Sequence, residues 1–311
     1  MVRCLGVGPA WITTARPGED PTRIEAETVR RLLDDVGLAS MIDVHTHFMP
    51  KRVLDKVWAY FDGVGPLTGR PWPVAYRHDE QARVAALRDF GVVAFTSLLY
   101  PHKPDMAEWL NSWSAQFAAA TPDCLHTATF YPEPGAADYV SRAIADGARV
   151  FKAHVQVGNY SPKDPLLEPV WAVLERAGVP TVIHAGSGPT PGTFTGPQPV
   201  ADVLDRHPDL KLIIAHLGMP EYREFIDLAQ QHAGVYLDTT MVFTDFTEEL
   251  HPFPRAELPR LLEVADKVLF GSDFPNIPYP YHHAVESVVA LGLGDQWSRK
   301  VLFHNAFELF N

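Results

Sequence analysis

Short apolar runs and helical patterns alternate eight times between Met41 and the end of this 311-residue chain. The runs fall at 41–44, 92–99, 125–130, 149–155, 181–183, 212–215, 235–237 and 268–270, each short and rich in strand-forming residues. Helical periodicity fills the intervals, at 81–90, 106–120, 136–145, 169–177, 199–206, 221–231, 256–264 and 297–310. Strands that are apolar almost throughout must be covered on both faces, and alternation with helices makes them parallel. The pattern predicts an α/β fold of the (β/α)8 TIM-barrel type over residues 41–311, close to the usual size of about 250 residues. A doubly wound open sheet competes, but it needs a glycine-rich phosphate turn after the first strand, where Val44-His45-Thr46-His47 stands instead. Glycine follows four of the helices, at Gly91, Gly147, Gly178 and Gly234, each expected to take a left-handed cap conformation.

Residues 1–40 read as an N-terminal extension, a proline- and glycine-containing stretch followed by one helical pattern through Ile24, Thr28, Leu32, Leu33 and Val36 that Gly37 ends. Met41 opens the most chemically loaded strand, so a translation start there is one reading of that layout. The first residues carry one early cation, Arg3, and a weakly apolar stretch at 4–12 that runs into Arg16, Glu19 and Asp20, unlike a secretory signal. No long uncharged apolar window predicts a membrane span. Two cysteines, Cys4 and Cys124, cannot build a disulfide framework and suit a reducing compartment, so the expected location is cytoplasmic. A formal charge of −12 argues against nucleic acid as a partner.

Proline is in excess, 28 residues or about 9% against an average near 5%. Of these, 22 follow predicted strands, on the side where barrel loops form the mouth that carries active sites. Avoidance of strands and helix interiors explains why prolines sit in loops, but not why they gather at one end. A stiff rim around a pocket is the expectation.

Polar residues at the strand ends supply the chemistry. His45 and His47 are two apart, so they point to one face of the first strand. Alone, such a pair is more often structural than a metal site. The fifth predicted strand, however, ends at His184, the sixth at His216 and the eighth at Asp273, each after an apolar run. Four imidazoles and a carboxylate at one barrel mouth would leave several costly unpaired groups unless a metal gathers them.

The segments Ile42-Asp43-Val44-His45-Thr46-His47, Val182-Ile183-His184, Ile214-Ala215-His216-Leu217-Gly218 and Phe270-Gly271-Ser272-Asp273-Phe274-Pro275 together resemble the metal-dependent amidohydrolase superfamily. Within it the likeness is to the amidohydrolase-related branch that includes aminocarboxymuconate semialdehyde decarboxylase, over about residues 41–311. The resemblance implies that His45, His47, His184 and Asp273 hold one divalent metal, Zn2+ ahead of Mn2+ or Fe2+, and that His216 and Asp273 are catalytic. Imidazoles and a carboxylate suit those ions, which can lower the pKa of a water they hold to about 7. Asp273 would then accept and pass on a proton, and His216 would polarise a carbonyl or stabilise developing negative charge.

Lys152 and His154 share one face at the end of the fourth strand. Some relatives carry a carboxylated, metal-bridging lysine there; a substrate anchor is the alternative, and with one metal it is the one preferred. Arg70, Trp72 and Tyr100 are further candidates for substrate binding, with Trp58, Tyr60, Phe61 and Tyr76 as neighbouring aromatic wall. Two reactions use the same residues: hydrolysis of an amide, a lactone or a similar small molecule, and non-oxidative decarboxylation. Lys152 tips the expectation towards hydrolysis. A metal-dependent nuclease fits poorly with the acidic charge, and a non-catalytic binding barrel would require the whole ligand set to be vestigial. The expected partner is a small-molecule substrate, with no membrane involvement and with homo-oligomerisation left open.

Overall fold

A computed structural model describes residues 21–311 of the chain, so Cys4, the prolines at 9 and 17 and the apolar stretch at 4–12 lie outside the described residues. Eight strands run in chain order: Met41–Asp43, Val92–Thr96, Cys124–Leu125 continued by Thr127–Thr129, Val150–His154, Thr181–His184, Leu212–Ile214, Val235–Asp238 and Val268–Leu269. Each pairs in parallel with the next. The third is broken at His126, its first piece pairing with the second strand and its second piece with the fourth. Beyond the regular strands, the Val44 N–H donates to the Phe270 carbonyl at 3.0 Å and the His47 N–H to the Phe274 carbonyl at 2.7 Å, which sets the first strand beside the last. This is the (β/α)8 architecture that the alternation predicts.

Side chains alternate between the inside of the barrel and the layer beneath the helices. Val150, Val182 and Ile213 join the inner cluster with Phe310 of the C-terminal helix, whereas Phe151, Ile183, Leu212 and Ile214 pack in the outer one. With a period of two, Lys152 and His154 follow Val150 on the inner face, and His184 follows Val182. The register sets His154 directly opposite His184. Burial inside thus becomes polar chemistry at the mouth within one or two residues of the same strand.

Six helices stand close to where periodicity places them: Glu80–Asp89, Ala107–Ala120, Ala136–Ala145, Glu168–Ala177, Pro197–Leu204 and Tyr222–Gln231. The seventh is reduced to Leu258–Glu263, and the last is divided into Asp295–Arg299 and Asn305–Phe310 by a π-helical turn, Lys300–His304. Two more, Lys51–Gly63 and Tyr281–Val289, occupy segments expected as mouth loops. The second buries Tyr281, Ala284, Val285 and Val288, a helical stripe hidden in sequence by the prolines just before it. Part of the proline excess also has a different use from rim stiffening: Pro66, Pro165, Pro169, Pro197 and Pro259 sit in the first turns of helices, where a missing N–H costs nothing.

Gly91, Gly147 and Gly178 adopt the expected positive φ, at 86°, 94° and 64°. Gly234 does not. A Cβ there would sit 2.4 Å from the Leu210 carbonyl oxygen, so that glycine serves a close approach of two chain segments rather than a cap.

The helix Pro21–Asp35 shares the barrel's hydrophobic core through Val29 and Leu33, both fully buried. Its Arg30 donates to the Asp89 and Arg88 carbonyls at 2.9 and 3.1 Å, satisfying the C-terminal end of Glu80–Asp89. Among the described residues no helix is long and apolar enough to cross a membrane. Leu33→Ala is expected to lower the unfolding free energy by about 2–4 kcal/mol, measured by urea denaturation; a loss too small to resolve would mean that this helix adds nothing to the fold.

Candidate metal centre

His47 Nε2 lies 2.8 Å from Asp273 Oδ1, and His45 Nε2 lies 3.6 Å from the same oxygen. One ligand atom from each of these three residues falls within 4.8 Å of the others. The opposite ring nitrogens are already held, His45 Nδ1 against Asp238 Oδ2 at 2.8 Å and His47 Nδ1 against the Leu98 carbonyl at 2.7 Å. Anchored in this way, both rings turn Nε2 to the centre, the arrangement that outer partners impose on metal-binding histidines. Burial pushes His45 down and His184 down to about 3, leaving the neutral imidazoles that bind cations. Burial pushes the Asp273 carboxyl up, but the hydrogen bond to His47 opposes it, and the carboxyl is held well below the usual carboxylate range. Two imidazoles and a carboxylate suit a divalent zinc, manganese or iron ion.

His184 stands beside this group rather than within it. Its Nε2 lies 3.0 Å from the Gly188 carbonyl, which leaves Nδ1 as the nitrogen for another ligand, and its ring is 4.9 Å from that of His216. His216 lies 5.1 Å, ring to ring, from His45, with Nδ1 on the Thr240 carbonyl at 3.0 Å.

His216 and Asp273 both have left-handed backbones, with φ of 56° and 74°. Each such residue costs roughly 1–3 kcal/mol and persists only where its surroundings hold it. Asp238 Oδ1 accepts the His216 N–H at 2.8 Å, and the Asp273 N–H donates to the His45 carbonyl at 2.8 Å. Gly271 lets the chain pass: a Cβ would lie 2.2 Å from Thr240 Oγ1 and 2.7 Å from His45 Cβ. Asp43, fully buried, accepts from Ser272 Oγ at 2.6 Å, Tyr281 OH at 2.8 Å and the His45 N–H at 3.1 Å, and burial pushes its carboxyl up to about 7.

A cavity of about 960 Å³ opens over the cluster, lined among others by Lys152, His154, Trp72 and Tyr100. Lys152 is fully buried with Nζ 3.3 Å from His45 Nε2, and burial pushes it down to about 8 against the opposing pull of Asp238 and Asp273. His154 stacks on His184 at 4.2 Å with the planes 10° apart. The Arg70 guanidinium lies over the Phe246 ring and pairs with Glu249 at 2.8 Å, so it packs against a lining residue and is not itself part of the lining. Tyr60 and Phe61 do line the cavity, whereas Trp58 is not part of the lining but donates to Asn276, which is, and Tyr76 donates to Glu25 outside it.

The family model described as amidohydrolase matches residues 42–311. The chain belongs to the amidohydrolase family. No curated protein matches it. Among solved structures, an uncharacterised TIM-barrel protein from Bordetella bronchiseptica is 21% identical, covers 87% of this chain and 98% of its own, and superposes with a TM-score of 0.67. A 5-carboxyvanillate decarboxylase from Novosphingobium aromaticivorans, complexed with manganese and 4-hydroxy-3-methoxy-5-nitrobenzoic acid, is 14% identical over 89% of this chain and 97% of its own, with a TM-score of 0.59. A protein named as a 2-pyrone-4,6-dicarboxylic acid hydrolase from Pseudomonas putida is 17% identical over 88% of this chain and 97% of its own, with a TM-score of 0.58. At these identities the likeness is one of fold.

The amidohydrolase centre also uses residues that the sequence reading passed over. Asp238 ends the seventh strand after an apolar run, the same signal that picks out Asp273, while Ser272 and Tyr281 matter only through Asp43. Asp238→Asn should weaken divalent-metal affinity by about 10- to 100-fold, read by chelator competition with Zn2+ or Mn2+. Unchanged affinity would show that the His45 ring does not depend on that carboxylate.

Proposed function

We propose that this amidohydrolase is a metal-dependent hydrolase of a small organic substrate bearing an amide, lactone or similar bond. The observation that carries the reading is the Asp273 carboxyl lying 2.8 and 3.6 Å from two imidazoles whose far nitrogens are fixed. His45, His47 and Asp273 would hold a divalent ion, with His184 as the further candidate ligand through Nδ1. Such an ion supplies Lewis acidity and brings the pKa of water into the neutral range. Zn2+ is the ion proposed; the manganese in the Novosphingobium decarboxylase supports Mn2+ as the alternative.

As a water oxygen bonds to the substrate carbonyl carbon, Asp273 would take that water's proton at a carboxylate oxygen and pass it to the leaving nitrogen or oxygen as the C–N or C–O bond breaks. His216 donates from Nδ1 to the Thr240 carbonyl, so Nε2 is left as the nitrogen that would take up a proton, and once protonated it would donate to the substrate carbonyl oxygen and stabilise the charge that develops there. Lys152 adds a positive charge at the cavity floor, where it anchors an anionic substrate group. The cysteine content supports a cytoplasmic setting. A second reading, decarboxylation, draws on the fold shared with the 5-carboxyvanillate decarboxylase, and would use the same residues to hold a carboxylate and deliver a proton.

Metal-loaded enzyme tested on small amides, lactones and carboxylates in labelled water, with CO2 recorded separately, distinguishes the two. Incorporation of solvent oxygen without CO2 is expected; CO2 without label would overturn hydrolysis. Asp273→Asn should lower kcat by at least about 100-fold with much of the metal retained, and near wild-type turnover would remove Asp273 from the reaction.

A further inference from the structure

The charge lining the cavity runs against the charge of the chain. Arg52, Lys56, Lys103 and Lys152 face it against two carboxylates, Asp105 and Asp273, in a protein with a formal charge of −12. Lys152 is buried beside the metal ligands, whereas Arg52, Lys56 and Lys103 are exposed, which puts them at the mouth. Among the described residues these three have no ion pair, although Lys51 next to them pairs with Asp55 at 2.7 Å, and Arg77 further along pairs with Asp62. Arg52 and Lys56 lie one turn apart on Lys51–Gly63, a like-charge spacing that disfavours the helix slightly, so local stability does not account for it. The Arg52 guanidinium is held 4.2 Å over the ring of Trp109, itself part of the lining. The rest of the lining includes many apolar and aromatic side chains, among them Val57, Tyr60, Phe61, Trp72 and Phe246.

We propose that Arg52, Lys56 and Lys103 form an anion subsite at the cavity mouth, selecting substrates that carry a carboxylate at the end remote from the metal centre, across an aromatic or apolar body. This rests on the reading of the cavity as the substrate site. The volume agrees: about 960 Å³ is the upper part of the range for small-molecule pockets, roughly 300–1,000 Å³, and leaves room for a body of more than one ring.

The test is calorimetric binding, with and without Mn2+, of two matched pairs of probes: benzoate against terephthalate, and biphenyl carboxylate against para-linked biphenyl dicarboxylate. In at least one pair the second carboxylate should tighten binding by about tenfold at low ionic strength. In an Arg52→Gln/Lys56→Gln/Lys103→Gln variant that gain should disappear while the monocarboxylate binds as before. Because the three cations are exposed, salt at about 0.5 M should remove most of the same gain from the unaltered protein, which repeats the test without any substitution. No gain in either pair, no binding of any probe, or a gain that survives both the substitutions and salt would overturn the subsite. Monocarboxylate affinity that ignores Mn2+ would count instead against the metal reading, so the two failures are distinguishable.

Discussion

The seam between the first strand and the segment after the last is the contact on which the centre depends. Three backbone hydrogen bonds cross it, from Val44 to Phe270, from Asp273 to His45 and from His47 to Phe274, and the Asp43 carboxylate ties Ser272 and Tyr281 to the same strand. They bring Asp273 within 2.8 Å of a histidine 226 positions earlier in the chain. Each bond is worth only about 1 kcal/mol net, but a buried polar group left without one costs more. Because the whole set is buried, the seam holds both the fold and the geometry of the candidate metal ligands.

Strain and support are divided between neighbouring residues. His216 and Asp273, the two groups read as moving protons or charge, carry left-handed backbones, while Asp238 and Asp43 hold the chain around them without lining the cavity. Asp238 alone serves two elements, accepting the His216 N–H with one oxygen and facing His45 Nδ1 with the other. One carboxylate therefore orients a candidate ligand and a candidate catalytic residue together. The helix Pro21–Asp35 joins this arrangement at a distance: Glu25 accepts a hydrogen bond from Tyr76, whose hydroxyl oxygen accepts the Tyr281 N–H, and Tyr281 donates to Asp43.

Much of the fold was legible because its signals are local. Apolar runs of a few residues, helical periodicity between them and glycine at the junctions identify parallel strands without any long-range information. The helix Tyr281–Val289 had its stripe in the sequence, but the preceding prolines read more strongly as loop. Gly234 was legible as a glycine and not as a reason, since its role is set by the Leu210 carbonyl, a neighbour only in space. Arg70 is absent from the cavity lining for the same cause: whether an arginine faces a cavity or pairs with Glu249 depends on where a distant helix packs.

By itself, the sequence determined the barrel and the identity of the groups at its mouth, because period-two burial obliges Lys152, His154 and His184 to rise on the inner face and leaves His45, His47, His216 and Asp273 at strand ends. Only the tertiary structure decided which of them meet. It gathered His45, His47 and Asp273, left His184 turned to the Gly188 carbonyl, placed Asp238 behind His45 and brought Arg52, Lys56 and Lys103 into the cavity lining. The reason is that distances between side chains on different strands follow from register, backbone twist and the packing of loops, and none of these is a property of any single segment.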